Sequence, residues 1–243
     1  MTKQTASADI REAMDIRIIK SDEQYQRALD EVGRPAEIDP SLESAEGARL
    51  ELLAKLVEDY EKERFLRLSW MEDGPRLASN FLAERGIALV IEPHLLSTLL
   101  DGAAMIGLNG APVIGITIRE DRLDNFWFTL MHELVHAWKH LDNDSHRAIA
   151  DENIEKPSAD AAGIEREANE FAAEILIDQA TWHCSQARLS PSAQTIQDFA
   201  TRMQVSPAVV AGRIRHEHAN YSLFSKLVGR RKVRAIFPEV KWL

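Results

Sequence analysis

Residues 126–141 read FWFTLMHELVHAWKHL. The stretch contains His132, Glu133 and His136 in the order H-E-x-x-H. On a helix of about 3.6 residues per turn the two histidines share one face, one turn apart. Both imidazoles can then reach one metal ion. Glu133 follows the first of them and can reach a water at that ion without being a ligand. Two ligands and one general base make the arrangement of a zinc peptidase helix. The bland account is an amphipathic helix with histidines on its polar side. The surroundings argue against it: Phe126, Trp127, Phe128, Leu130, Met131, Leu134, Val135, Ala137, Trp138 and Leu141 surround the motif on nearly every face. A helix apolar all round is expected to be buried. Buried charged groups need a partner or a ligand.

A catalytic zinc usually takes three protein ligands and leaves one position for water. The next helical pattern, IEREANEFAAEILI (164–177), offers the third. Glu165 and Asn169 are four apart and share a face. Glu165 as ligand gives a His, His, Glu site, and Asn169 can accept the free N–H of a ligating histidine and hold its ring. Glu167 points about 200° away from Glu165 around the helix and is the poorer ligand. An oxyanion donor is also expected, with His140, His183 and Tyr221 as candidates.

Outward from this centre the chain reads as α+β. Residues 1–14 have no apolar period and read as disordered. Residues 15–72 read as a helical arm: IRII as a short extended piece, a helix through Tyr25, Leu29 and Val32, the turn-rich GRPAEIDPS, then a long helix over 44–70. Leu53, Leu56, Val57 and Tyr60 form its apolar stripe. Residues 73–188 read as the metal-binding unit. Asp73 caps and Pro75 enters a helix that stops at Gly86. Strands follow at 87–92, 103–108 and 113–118, the last two joined by the hairpin signal Asn109-Gly110. Asp124 or Asn125 caps the motif helix. The polar stretch 142–157 connects to a helix over 160–177. Residues 189–243 read as helical and basic.

The chain carries a formal net charge of −10 over 243 residues. From Leu189 onward nine Lys/Arg stand against three Asp/Glu, about +6, so the rest carries about −16. The body repels nucleic acid and the C-terminal segment could attract it; for the charge alone, a basic solvated surface is the simpler account. No apolar run approaches the ~18 residues of a membrane span, and MTKQTASADIREAM is not a signal peptide. The single cysteine, Cys184, cannot form an internal disulfide. Cytoplasmic residence is the simplest reading.

FTLMHELVHAWKH followed by EREANEFAAEILI resembles the ImmA/IrrE family of bacterial and phage metallopeptidases. The resemblance covers roughly residues 74–229. Val135 stands where that pattern commonly has Gly, a helix-compatible change. The resemblance implies a minimal, gluzincin-like zinc-peptidase fold with a small sheet beside the H-E-x-x-H helix. It implies zinc at His132, His136 and Glu165, Glu133 as base, and often a further histidine where His140 stands. It also implies a protein substrate, a helix-turn-helix repressor or an antitoxin, in a stress or toxin–antitoxin response.

MDIRIIKSDEQYQRALDEVG and LELLAKLVEDYEKERF are similar to the start of HigA-type antitoxins, without the helix-turn-helix module that follows there. IQDFATRMQVSPAVVAGRIR (196–215) has helix-turn-helix-like spacing, with Gln204 where Gly is usual. It reads better as a helical pair packed on the catalytic unit, with at most weak, non-specific DNA binding. The alternative is a non-proteolytic transcriptional regulator or antitoxin that keeps the metal fold as a scaffold. The intact Glu133 argues against it, because a structural metal site needs no general base.

Overall fold

The fold is that of a computed structural model in which residues 18–33, 40–41, 43–94, 98, 100–141, 147–150 and 159–242 are described. The expectation of disorder for residues 1–14, and most of the connectors at 33–41 and 142–157, lie outside the described residues. The chain divides into two compact units, Met1–Arg64 and Phe65–Leu243.

The first unit holds α1 (Asp22–Gly33) and most of α2 (Ala45–Leu68). Tyr25 and Ala28 of α1 pack with Ile19 and with Val57 of α2, and Leu56 and Tyr60 close the cluster. The expected α2 stripe is thus the buried face. Tyr60 donates to Asp22 at 3.0 Å, and Arg49 pairs with Glu31. Both contacts are reached by solvent and add little beyond the apolar contact.

The second unit is α+β. Helix α3 (Gly74–Ala83) starts at Asp73 and has Pro75 in its first turn. Asp73 stands at the cap position, yet its side chain makes no capping bond, contrary to expectation. Strands β1 (Ala88–Glu92), β2 (Gly102–Ile106), β3 (Pro112–Thr117) and β4 (Ala148–Ala150) form one sheet in the order β1-β3-β2-β4. β2 and β3 are the expected antiparallel hairpin, with Gly110 at φ 80° in the turn. β1 runs parallel to β3, which is possible because β2 lies on β3's other side. β4 falls in the stretch read as a plain connector; at three residues it is too short to leave an alternating signal.

Ile114 and Ile116 of β3 and Ala104 of β2 pack into the core with the motif helix α4 (Leu123–Val135). Phe126, Trp127, Leu130, Met131 and Val135 of α4 are nearly inaccessible. Phe65 and Phe126 both meet Trp127 edge-on. Helix α5 (Ala159–Leu176) packs against α4, and its Ala168 and Ala172 are fully buried.

Two expectations about the motif helix need correction. Neither Asp124 nor Asn125 is its cap; Arg122 occupies that position and makes no side-chain capping bond. Asp124 turns inward instead, where Arg122 at 3.0 Å and Arg215 at 3.1 Å satisfy its carboxylate. The helix is also not buried to its end. At His136 it widens into a π-helical turn, His136–His140, and this leaves Trp138 69% exposed. Single π turns of this kind are frequent at functional sites.

After the short helices α6 (Gln179–His183) and α7 (Gln186–Leu189) come α8 (Ala193–Met203) and α9 (Pro207–Glu217). Ser192 and Thr195 form a capping box at the start of α8, and Gln204 takes the left-handed conformation at its end, φ 55°. α9 packs on α4, and no residue from Pro207 to Arg215 is exposed. A groove-reading helix needs a free face; this one has none without unpacking. In a last short helix, α10 (Val233–Ile236), the N–H groups of Val233 and Arg234 donate to the Asp121 carboxylate.

Candidate metal centre

Three side chains from two helices converge. The Nε2 atoms of His132 and His136 lie 2.9 Å apart. Glu165, on α5, places Oε2 3.1 Å from the first and Oε1 3.4 Å from the second. All three ligand atoms lie within 4.8 Å of one another. A tetrahedral ion with bonds of about 2.0–2.2 Å separates its ligand atoms by about 3.3–3.6 Å. The cluster therefore needs only a small expansion to hold an ion, and two imidazoles with one carboxylate form a suitable donor set.

The other ring nitrogens are engaged. His132 Nδ1 lies 3.1 Å from Asn169 Oδ1, where its N–H can donate. His136 Nδ1 lies 3.0 Å from His140 Nδ1, and His140 Nε2 lies 2.9 Å from Glu167 Oε2. One proton arrangement satisfies the whole line: His136 Nδ1–H donates to His140, and His140 Nε2–H donates to Glu167. Both Nε2 atoms of the pair then keep lone pairs aimed at the centre. The π turn brings His140 into this line. Glu167 also takes an ion pair from Lys139.

The electrostatics fit the geometry. Burial works against a charge on Glu165, but where the two Nε2 atoms carry protons instead of lone pairs, hydrogen bonds from His132 and His136 together outweigh it and hold the carboxyl down at about 2. Lys139, then His140, hold the exposed Glu167 below the usual carboxylate range. Glu133 is fully buried and lies against β2, where a Cβ on Gly102 would meet its side chain.

The structure thus brings together His132, His136, Glu165, Asn169 and His140, with Glu133 in the same turn as the first ligand. It does not bring in every candidate oxyanion donor. Tyr221 is 59% exposed and lines a cavity beside the cluster. His183 is exposed at the end of α6 and does not line that cavity. Sequence reasoning missed Gly102, His216 and the role of Glu167. His216, another lining residue, stacks on Phe128 with ring centroids 6.3 Å apart. Nothing in the local pattern marks Gly102 or His216. The i, i+27 spacing of His140 and Glu167 is also invisible before α4 and α5 are packed.

A small α+β unit with two histidines and a glutamate on packed helices, and a second glutamate buried beside them, has the form of a metallopeptidase. The chain belongs to the peptidase M78 family, the IrrE N-terminal-like domain, whose family model matches residues 85–215. That span runs from just before β1 to the end of the buried part of α9 and contains every member of the cluster. It does not reach the segment that resembles HigA-type antitoxins. No curated protein matches the chain. Among the described residues no helix is long and apolar enough to cross a membrane.

Proposed function

We propose that the protein is a cytosolic zinc-dependent endopeptidase that cleaves a protein substrate, a helix-turn-helix repressor or an antitoxin, in a stress or toxin–antitoxin response. The observation that carries the peptidase reading is the convergence of His132, His136 and Glu165 within one turn of a buried Glu133. The substrate class rests on the resemblance to ImmA/IrrE proteins, and the cytosolic setting on the single cysteine. His132, His136 and Glu165 are the residues that would hold zinc. When bound there, the metal supplies Lewis acidity for the scissile carbonyl and a lowered pKa for water.

The chain's own residues do the rest. Glu133 takes the proton of the attacking water and passes it to the leaving amine. Asn169 holds the ring of His132, and His140 with Glu167 holds the ring of His136, so the ligands need not reorganise. Tyr221 is the better placed of the candidate oxyanion donors, since it faces the cavity beside the cluster.

Glu133→Gln tests the reading. It keeps the size of the side chain but cannot accept the water's proton. The variant should retain its metal, hold co-purifying substrate, and lose hydrolysis by on the order of 10²-fold or more. In cells the genes held by the substrate repressor should stay off. A Glu133→Gln protein that holds its metal and still derepresses normally would end the case for proteolysis and leave a scaffold-type regulator.

A further inference from the structure

Beside the cluster, the second unit has a cavity of about 270 Å³. A single water takes up about 30 Å³ of liquid, so the space is far larger than a hydration site. The cavity shares a wall with the proposed metal centre. Asn169, the partner of His132, lines it, and so does Phe128, whose ring lies 6.3 Å from that of His132. Tyr221 and His216 stand exposed at its edge, so it is accessible from solvent.

The lining defines what can enter. Phe128, Ala173, Leu176, Ile177 and Val209 give it an apolar floor, and His216 stacked on Phe128 extends that floor as a flat face. Its charged residues are already matched. Asp101 pairs with Arg119 at 2.7 Å, and Asp124 with Arg122 and Arg215. Arg213 faces Glu217 at 3.4 Å and donates to the carbonyls of Ala173 and Ile177. A charged occupant would lose its water and find no unmatched counter-charge, a net cost. An apolar occupant would release several waters against carbon walls, a net gain.

We infer that this cavity is the subsite for a large apolar side chain, of leucine or phenylalanine size, next to the scissile bond of the polypeptide substrate. The inference rests on the peptidase reading and adds its specificity. Ala173 carries the smallest side chain of the floor and sets the depth of the space.

The test uses a probe that needs no turnover: N-acetyl amino-acid hydroxamates, which chelate a metal and carry one side chain. Their binding to the full-length, zinc-loaded chain is measured by calorimetry for the glycyl, leucyl, phenylalanyl, aspartyl and lysyl compounds. The leucyl and phenylalanyl compounds should bind about 10- to 100-fold more tightly than the glycyl one. The aspartyl and lysyl compounds should bind no more tightly than the glycyl one. Ala173→Leu should reduce the advantage of the apolar compounds over the glycyl one to about threefold or less, with zinc content unchanged. Ile177→Ala, which enlarges the floor, should shift the preference from leucyl towards phenylalanyl, and it serves if the leucine variant fails to fold. Equal binding of all five compounds, or an apolar advantage untouched by both variants, would overturn the subsite and leave the peptidase reading standing. Binding of none of the five compounds, together with zinc uptake unchanged in His132→Ala, would overturn the metal centre itself, and the subsite with it.

Discussion

A Cβ built on Gly102 would stand 2.7 Å from Cγ and 2.8 Å from Cδ of Glu133, so the proposed general base of α4 rests directly on the backbone of β2. Real Cβ atoms do not approach heavy atoms so closely. Any side chain at position 102 must push the carboxylate away. In neighbouring β3, a Cβ on Gly115 would have only the carbonyl of Ala103 near it, at 3.9 Å. Gly102→Ala should therefore lower kcat by about 10²-fold, since a small misplacement of a catalytic group is enough for that. Metal content should be kept, because the ligands are not displaced. Gly115→Ala should leave hydrolysis within about threefold of wild type, a range too small to indicate a displaced base. Equal loss in both variants would mean that sheet integrity, not the seat of Glu133, is at stake.

Removal of Glu165 should have a different result from removal of Glu167, although the two are only two residues apart. Glu165→Ala deletes a ligand atom of the cluster and should abolish stoichiometric zinc. Glu167→Ala deletes only the anchor of His140 and should weaken zinc affinity by about 10- to 100-fold, as loss of a supporting partner does. His140→Ala should match Glu167→Ala. Competition against a fluorescent chelator measures all three. The reverse order would place the metal on the other face of α5.

The pairing of Asp124 with Arg215 joins the first turn of α4 to α9 inside the second unit. Arg215 is 1% exposed. Burial pushes the Asp124 carboxyl up against the pull of Arg122 and Arg215, and it lowers Arg215 against the pull of Asp124. Burial dominates for both partners, so the pair is costly to bury and costlier to break. Asp124→Ala should destabilise the protein by about 3–5 kcal/mol in urea unfolding, because it leaves the guanidinium buried with one partner fewer. The double variant Asp124→Ala, Arg215→Met should lose less than the sum of the two single variants, by at least about 1 kcal/mol. Simple additivity would show that the two charges do not depend on each other.

Any DNA binding by the basic C-terminal segment should be weak and steeply salt-dependent. Arg230, Arg231 and Lys232 are exposed, while α9 has no free face between Pro207 and Arg215. Exposed cations without a reading helix attract phosphate and do not discriminate bases. A mobility-shift titration near physiological salt should give no sequence preference. A salt-resistant footprint on one operator would favour a regulatory role instead.

The cluster of His132, His136 and Glu165 was legible because helical periodicity is local. H-E-x-x-H places two imidazoles on one face wherever a helix forms, and the four-residue step from Glu165 to Asn169 does the same on the next helix. The Asn109-Gly110 hairpin and the α2 stripe were legible for the same reason. The π turn was not, since one widened turn is decided by what His136 and His140 meet rather than by their own propensities. Nor was the cap of α4: Asp124 has the right residue type, but Arg215, 91 residues later, gave its carboxylate a better partner. Gly102 under Glu133, Glu167 behind His140, and the cavity shared by α4, α5 and α9 join residues far apart in the chain. Sequence alone determined which groups can bind a metal and move a proton. Only the packing of helices on one another and on the sheet decided how those groups are held and what space is left beside them, because close packing depends on every side chain at once.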